Sequence, residues 1–160
     1  MKKYIGTKII EAQPGTMAEA QAMKSQYPVE LQKNPGGLQG YIVKYPDGYI
    51  SWSPKEAFEA AYRECDNMTF GLALEAMKKG HTVARKGWNS KGMFIYIQDG
   101  SRCETENLRN DAIKDYCKSR VIQHVQINPH IDMKAADGSL VIGWNPSQMD
   151  MLAEDWFIVE

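Results

Sequence analysis

Cysteine is scarce in this 160-residue chain. Cys65, Cys103 and Cys117 are an odd number with no C-x-x-C pair, which excludes a disulfide framework and predicts reduced thiols. An excess of charge is missing too. Residues 1–67 hold 8 Lys+Arg against 8 Asp+Glu, residues 68–160 hold 11 against 12, and the net charge is −1. A protein that grips DNA or RNA shows a basic face, so a nucleic-acid polymer is not an expected partner, whereas a small anionic ligand needs only a few local cations. No apolar run approaches the roughly 18 residues of a membrane span. Lys2 and Lys3 open the chain, but polar and turn residues follow soon after Ile10, so neither a signal peptide nor a membrane anchor is expected. The expected setting is intracellular.

Motifs of several enzyme classes are also absent. There is no G-x-S-x-G, no P-loop and no G-x-G-x-x-G, which removes the usual nucleophile elbow and phosphate-cradling loops. His81, His124 and His130 are widely spread, and no Cys or carboxylate cluster completes a metal site at familiar spacing. Neither metal nor cofactor is expected. Asp150, Glu154 and Asp155 read either as acid/base groups or as exposed carboxylates near a helix end.

What the chain does have is a hydrophobic fraction of 43%, enough for a packed core. The pattern predicts an α+β protein of two modules, with small, mainly antiparallel sheets and short helices. The boundary falls near Asp66-Asn67, giving residues 1–66 and 67–160. In the first module a strand is expected over Lys3–Glu11, and Thr16-Met17-Ala18-Glu19 reads as a capping box opening a helix to about Lys24. Asn34-Pro35-Gly36-Gly37 reads as a loop. Tyr41–Tyr45, Pro46-Asp47-Gly48 and Tyr49–Trp52 read as a hairpin, since Asp-Gly suits positive φ. Ser53-Pro54-Lys55-Glu56 reads as a second capping box, starting a helix to about Arg63.

In the second module a helix begins at Thr69, with Phe70, Ala73, Leu74 and Met77 as its apolar stripe and Gly80 as its stop. Strands are expected over 81–86 and 92–98, the latter with both faces partly buried. A charged, helical excursion is expected over residues 104–118. Further strands are expected over 121–127, 130–135 and 140–144, the last after an Asp137-Gly138 turn. Ser147 and Asp150 cap a short helix, and a final strand covers 156–159, in which Trp156 reads as core.

Two clusters carry the chemistry. Ala84-Arg85-Lys86-Gly87-Trp88-Asn89-Ser90-Lys91-Gly92-Met93 sets three cations beside an aromatic ring and glycines; Trp144 through Trp156 forms the second cluster. Aromatic faces stack on bases, cations meet phosphates, and glycine lets backbone approach a ligand closely. Together they point to a pocket for a small phosphate-bearing molecule with a base. The candidate ligand-binding residues are Arg85, Trp88, Asn89, Lys134, Asp137, Trp144, Ser147, Gln148 and Asp150. Six of them have a structural alternative: packing for the two tryptophans, a solvated cation for Arg85, turn chemistry for Asp137, and cap chemistry for Ser147 and Asp150.

At Met68-Thr69-Phe70-Gly71-Leu72-Ala73-Leu74-Glu75-Ala76, Ala84–Asn89, Met133–Gly138 and Trp144–Trp156, the sequence resembles the second type of the phage Thoeris anti-defence family, over residues of about 68–160. The resemblance implies a non-enzymatic sponge. It implies a homotetramer in the host cytoplasm that binds a cyclic ADP-ribose-type signal, of the glycocyclic ADP-ribose kind, so that the Thoeris effector is never activated. Some relatives also bind cyclic dinucleotides. The alternatives are a hydrolase of the signal, a cyclic dinucleotide sponge, and a module that docks on a host protein, with residues 104–120 as the candidate surface. The first module lies outside the resemblance and has no assigned role.

Overall fold

The computed structural model describes residues 2, 6–24, 37–88 and 92–159. It forms two compact units, Met1–Glu64 and Cys65–Glu160, and the architecture is α+β.

The first unit is a three-stranded antiparallel sheet, β1 (Glu11–Thr16), β2 (Gln39–Lys44) and β3 (Ile50–Pro54), in that spatial order, with helices α1 (Met17–Lys24) and α2 (Lys55–Ala61). The Thr16 capping box forms: Thr16 N donates to Glu19 Oε2 at 2.7 Å and Glu19 N to Thr16 Oγ1 at 3.3 Å. The β2–β3 turn closes as expected, with Gly48 at φ 83° and Asp47 Oδ1 accepting from Tyr49 N. Trp52 sits across from Ile42, and its indole N–H donates to the Gly15 carbonyl at 2.9 Å, a structural bond.

Three expectations for this unit need correction. The strand begins at Glu11 rather than ending there, because the six residues of β2 pair with 11–16; residues 6–10 form no strand, and 3–5 lie outside the described residues. Ser53 does not cap α2: Pro54 occupies the N-cap, and a pyrrolidine offers no side-chain oxygen. That helix stops at Ala61, not Arg63. Tyr62 turns extended, and its ring stacks on Phe58 at 4.8 Å, with Phe58 in turn 4.1 Å from Tyr41. The loop expected at 34–37 lies outside the described residues except for Gly37.

The second unit is built on a five-stranded antiparallel sheet. Its strands are β4 (Thr82–Arg85), β5 (Phe94–Gln98), β8 (His130–Lys134), β9 (Leu140–Val141) and β10 (Trp156–Val159), in the order β10-β4-β5-β8-β9. Between β5 and β8 the chain forms a two-stranded ribbon, β6 (Ser101–Glu104) and β7 (His124–Ile127). A 3-10 turn at Thr105–Asn107 and helix α4 (Asp111–Ser119) connect its strands. Helix α3 (Phe70–Lys78) packs on one sheet face, and a short helix α5 (Gln148–Met151) precedes β10.

Helix α3 starts where Thr69 Oγ1 accepts from Leu72 N, and the chain leaves it through Gly80 at φ 90°. Its buried Ala73, Ala76 and Met77 meet Val83, Ile95, Met133 and Trp156. Small alanines let the helix approach closely, while each large side chain removed from water contributes about 1.5–3 kcal/mol. Val83 pairs with Ile95 and Ile95 with Met133, so strand alternation gathers these residues on the helix-covered face. Phe94, Tyr96 and Lys134 project from the other face, where the two rings are half-buried.

Here too the boundaries differ. The strands expected over 81–86, 121–127 and 140–144 shorten to β4, β7 and β9. Beyond β9, Gly143 turns to φ 79° and gives its N–H to the buried carboxylate of Asp132 at 3.0 Å, so regular pairing stops. The 104–118 segment is α-helical only from Asp111 onward, in a helix that starts at the Asn110 cap and runs to Ser119, and β6 is an addition to the expected elements.

Candidate functional site

The site grows from the end of β4. Register places Arg85 directly across from Trp156 of β10, with Lys86-Gly87 turning the chain before Trp88. Trp156 is fully buried. Trp88 meets it edge-on at 5.4 Å between centroids, Trp144 stands 6.2 Å from Trp88 and 6.3 Å from Trp156, and Phe70 lies 5.4 Å from Trp156. The three Trp–Trp pairs are edge-to-face, a geometry that aromatic quadrupoles favour, and the Phe70 pair is tilted at 46°. Trp88 and Trp144 are half-buried and pack against the core.

Asp150 ties the cluster together. Its Oδ1 accepts from Arg85 Nη1 at 2.8 Å and from the Trp88 indole at 3.2 Å. Its Oδ2 accepts from Ser147 N at 3.0 Å and Ser147 Oγ at 2.6 Å. Its backbone carbonyl accepts from the Trp156 indole at 3.0 Å. The expected capping box of Ser147 and Asp150 is therefore present, and the same carboxylate that completes it also anchors a cation and a tryptophan.

Asp155 is the second carboxylate on Arg85. It accepts from Arg85 Nε at 2.8 Å, and its Oδ2 takes the backbone N–H of Gly87 at 2.7 Å. Burial opposes a charge on Asp150, but hydrogen bonds from Ser147, Arg85 and Trp88 outweigh it and hold its pKa at about 2. The Arg85 hydrogen bond, helped by Gly87, lowers Asp155. The Asp155 bond in turn raises Arg85 against the burial that opposes its charge. Both acids are thus fixed as anions, and a carboxyl group ionised down to about pH 2 holds no proton to donate near neutrality.

The structure therefore brings together Arg85, Trp88, Trp144, Ser147 and Asp150. Gln148 flanks them, exposed at the first residue of α5. Lys134 does not join them: it projects from the opposite sheet face and donates to the Gly92 carbonyl at 2.9 Å. Asp137 serves its turn, accepting from Ser139 N and Oγ at 2.9 and 2.7 Å, bonds that also lower its pKa. Asn89 lies outside the described residues. Asp155 and Phe70 are the additions. The sequence carried no signal that pairs Asp155 with Arg85; the register does, since Trp156, the next residue, lies directly across from Arg85.

Elsewhere, His130 Nε2 approaches Asp132 Oδ1 at 3.4 Å, and its Nδ1 lies 2.8 Å from the Asn128 carbonyl. Among the described residues no group of three or more His, Cys, Asp or Glu could hold a metal ion, and no helix is long and apolar enough to cross a membrane.

A helix-backed antiparallel sheet, ending in a tryptophan cluster locked by one arginine and two carboxylates, defines a small α+β module with a preorganised aromatic surface. The model of the Tad2-like family, the Thoeris anti-defense 2-like domain, matches residues 68–159. Thoeris anti-defense 2 of Bacillus phage SP01 is 38% identical over 95 residues, which are 58% of this chain and 94% of that protein. The chain belongs to the Thoeris anti-defense 2-like family. The matched residues contain the whole tryptophan cluster, and the first unit lies outside them.

Proposed function

We propose that this chain counters Thoeris defence in the host cytoplasm by capturing a cyclic nucleotide immune signal of the glycocyclic ADP-ribose type, stoichiometrically and without turnover. Family membership supports the anti-Thoeris role. The observation that carries the binding reading is Trp88: a half-buried ring whose N–H is tied to Asp150 and which meets two other tryptophans in T-shaped contacts. Such a ring offers a base a fixed stacking face with little ordering left to do on binding.

A sponge must outcompete an effector, which requires affinity near nanomolar, about −12 kcal/mol. One base–aromatic stack contributes about 1–3 kcal/mol, so the ligand must be enclosed and its phosphates and riboses contacted. Arg85 already faces two carboxylates, which leaves phosphate contacts to other donors. A homotetramer would supply enclosure. Its support is the apolar surface of Leu140, Val141, Ile142, Met149, Met151 and Leu152, all exposed. Two of these residues form β9, a sheet edge; at the other edge, β10, the chain covers itself through Met68 pairing with Trp156.

The test is native mass spectrometry of the full chain with glycocyclic ADP-ribose, other cyclic ADP-ribose isomers and cyclic dinucleotides. The reading expects a tetramer carrying glycocyclic ADP-ribose of unaltered mass. Retention of none of these nucleotides at micromolar concentration would contradict it.

A further inference from the structure

We propose that Asp155 is the positioning residue of Trp88, acting through the backbone of Gly87; this rests on the reading that Trp88 meets the ligand. Three consecutive residues before Trp88 are tethered to Asp155. Arg85 Nε donates to its carboxylate at 2.8 Å, Lys86 N to its backbone carbonyl at 3.1 Å, and Gly87 N to Oδ2 at 2.7 Å. The Trp88 N–H then returns to the Arg85 carbonyl at 3.3 Å. The turn that aims the indole is therefore templated on the one residue that precedes β10, and Asp150 fixes only the ring that this turn delivers.

Two further observations separate this role from that of a counter-ion. Asp150 already neutralises Arg85, so a second carboxylate leaves the trio with one net negative charge and is superfluous for charge balance. Gly87, moreover, is a glycine for a reason specific to Asp155. It is absent from the glycines with positive φ, so its backbone conformation would admit a side chain. A Cβ there, however, would stand 2.8 Å from Asp155 Oδ2, and the next nearest atom, Arg85 Nη2, is 3.3 Å away. The absence of a side chain at 87 and the carboxylate at 155 form one contact.

The experiment uses the full chain labelled with 5-fluorotryptophan, its four resonances assigned by Trp→Phe variants, in Asp155→Ala, Asp155→Asn, Gly87→Ala and the Asp155→Ala/Gly87→Ala double variant. Asp155→Asn keeps an oxygen for the Gly87 N–H and is the milder change should Asp155→Ala fail to fold. Asp155→Ala and Gly87→Ala are expected to move or broaden the Trp88 resonance while that of Trp52 stays in place. Each should weaken glycocyclic ADP-ribose binding, by no more than the roughly 5–150-fold that loss of the whole base–aromatic stack would cost. The double variant should lose less than the two single losses combined, because without the carboxylate the tightest contact of the new methyl is gone and only Arg85 Nη2, at 3.3 Å, remains close. An unmoved Trp88 resonance, or losses that add in the double variant, would overturn the proposal. If the wild type binds no glycocyclic ADP-ribose, the function reading fails, and the Trp88 resonance alone decides the positioning role.

Discussion

The guanidinium of Arg85 and the carboxylate of Asp150 meet at 2.8 Å, with side chains only 15% and 14% exposed. The contact joins the end of β4 to the cap of α5 across 65 residues of sequence, and it changes what Arg85 can do. A guanidinium held by two acids aligns the tryptophan cluster and is not free to grip a phosphate. Its removal should therefore act on the fold first. Arg85→Met should lower stability by about 2–3 kcal/mol, because it leaves two partly buried carboxylates without their charged donor. Urea denaturation of wild type and variant measures the difference, and an unchanged midpoint would place the Arg85 contacts among the energetically silent ones.

Asp150 gives the second unit an acid limit. Its folded pKa of about 2 lies below the ordinary 3.8, so the stabilisation is fully present above about pH 4 and is lost as pH falls toward 2. The difference corresponds to about 2 kcal/mol. Asp150→Asn should be less stable than wild type at pH 7, and the gap between the two should narrow on acidification through that window. Chemical denaturation at a series of pH values checks both the sign and the range.

Trp88→Ala should weaken signal binding by about 1–3 kcal/mol, or roughly 5–150-fold, while the Trp156-centred core stays folded. Calorimetry reads the affinity and circular dichroism the fold. Unchanged affinity would make Trp88 a packing residue.

Assembly is expected to depend on the exposed apolar surface. Ile142→Asp, at a residue 67% exposed in the single chain, should leave the chain folded but shift light scattering from the tetramer to smaller species. A mass unchanged from a wild-type tetramer would move the interface elsewhere.

Local chemistry was legible in the sequence. The two capping boxes that formed, Thr16 with Glu19 and Ser147 with Asp150, need only residues three apart, and the Asp47-Gly48 turn needs only its own backbone preference. Trp156 announced itself as core through alternation with Ile158. What escaped was set by distant partners. Nothing near Arg85 reveals that its charge is taken by residues 65 and 70 positions away. Ser101-Arg102-Cys103-Glu104 lacks apolar alternation and becomes a strand only because β7 lies beside it. Of the strand expected at Lys3–Glu11, residues 6–10 form none for the same reason, since the partner β2 fixes the pairing at 11–16.

Capture without turnover is tested most directly by recovery of the nucleotide. Glycocyclic ADP-ribose in several-fold excess over protein, incubated for hours and then released by heat denaturation, can be quantified by chromatography. A sponge returns all of the nucleotide intact, with a bound fraction before heating that matches the number of sites. Loss of more nucleotide than there are sites would show catalysis and contradict capture without turnover.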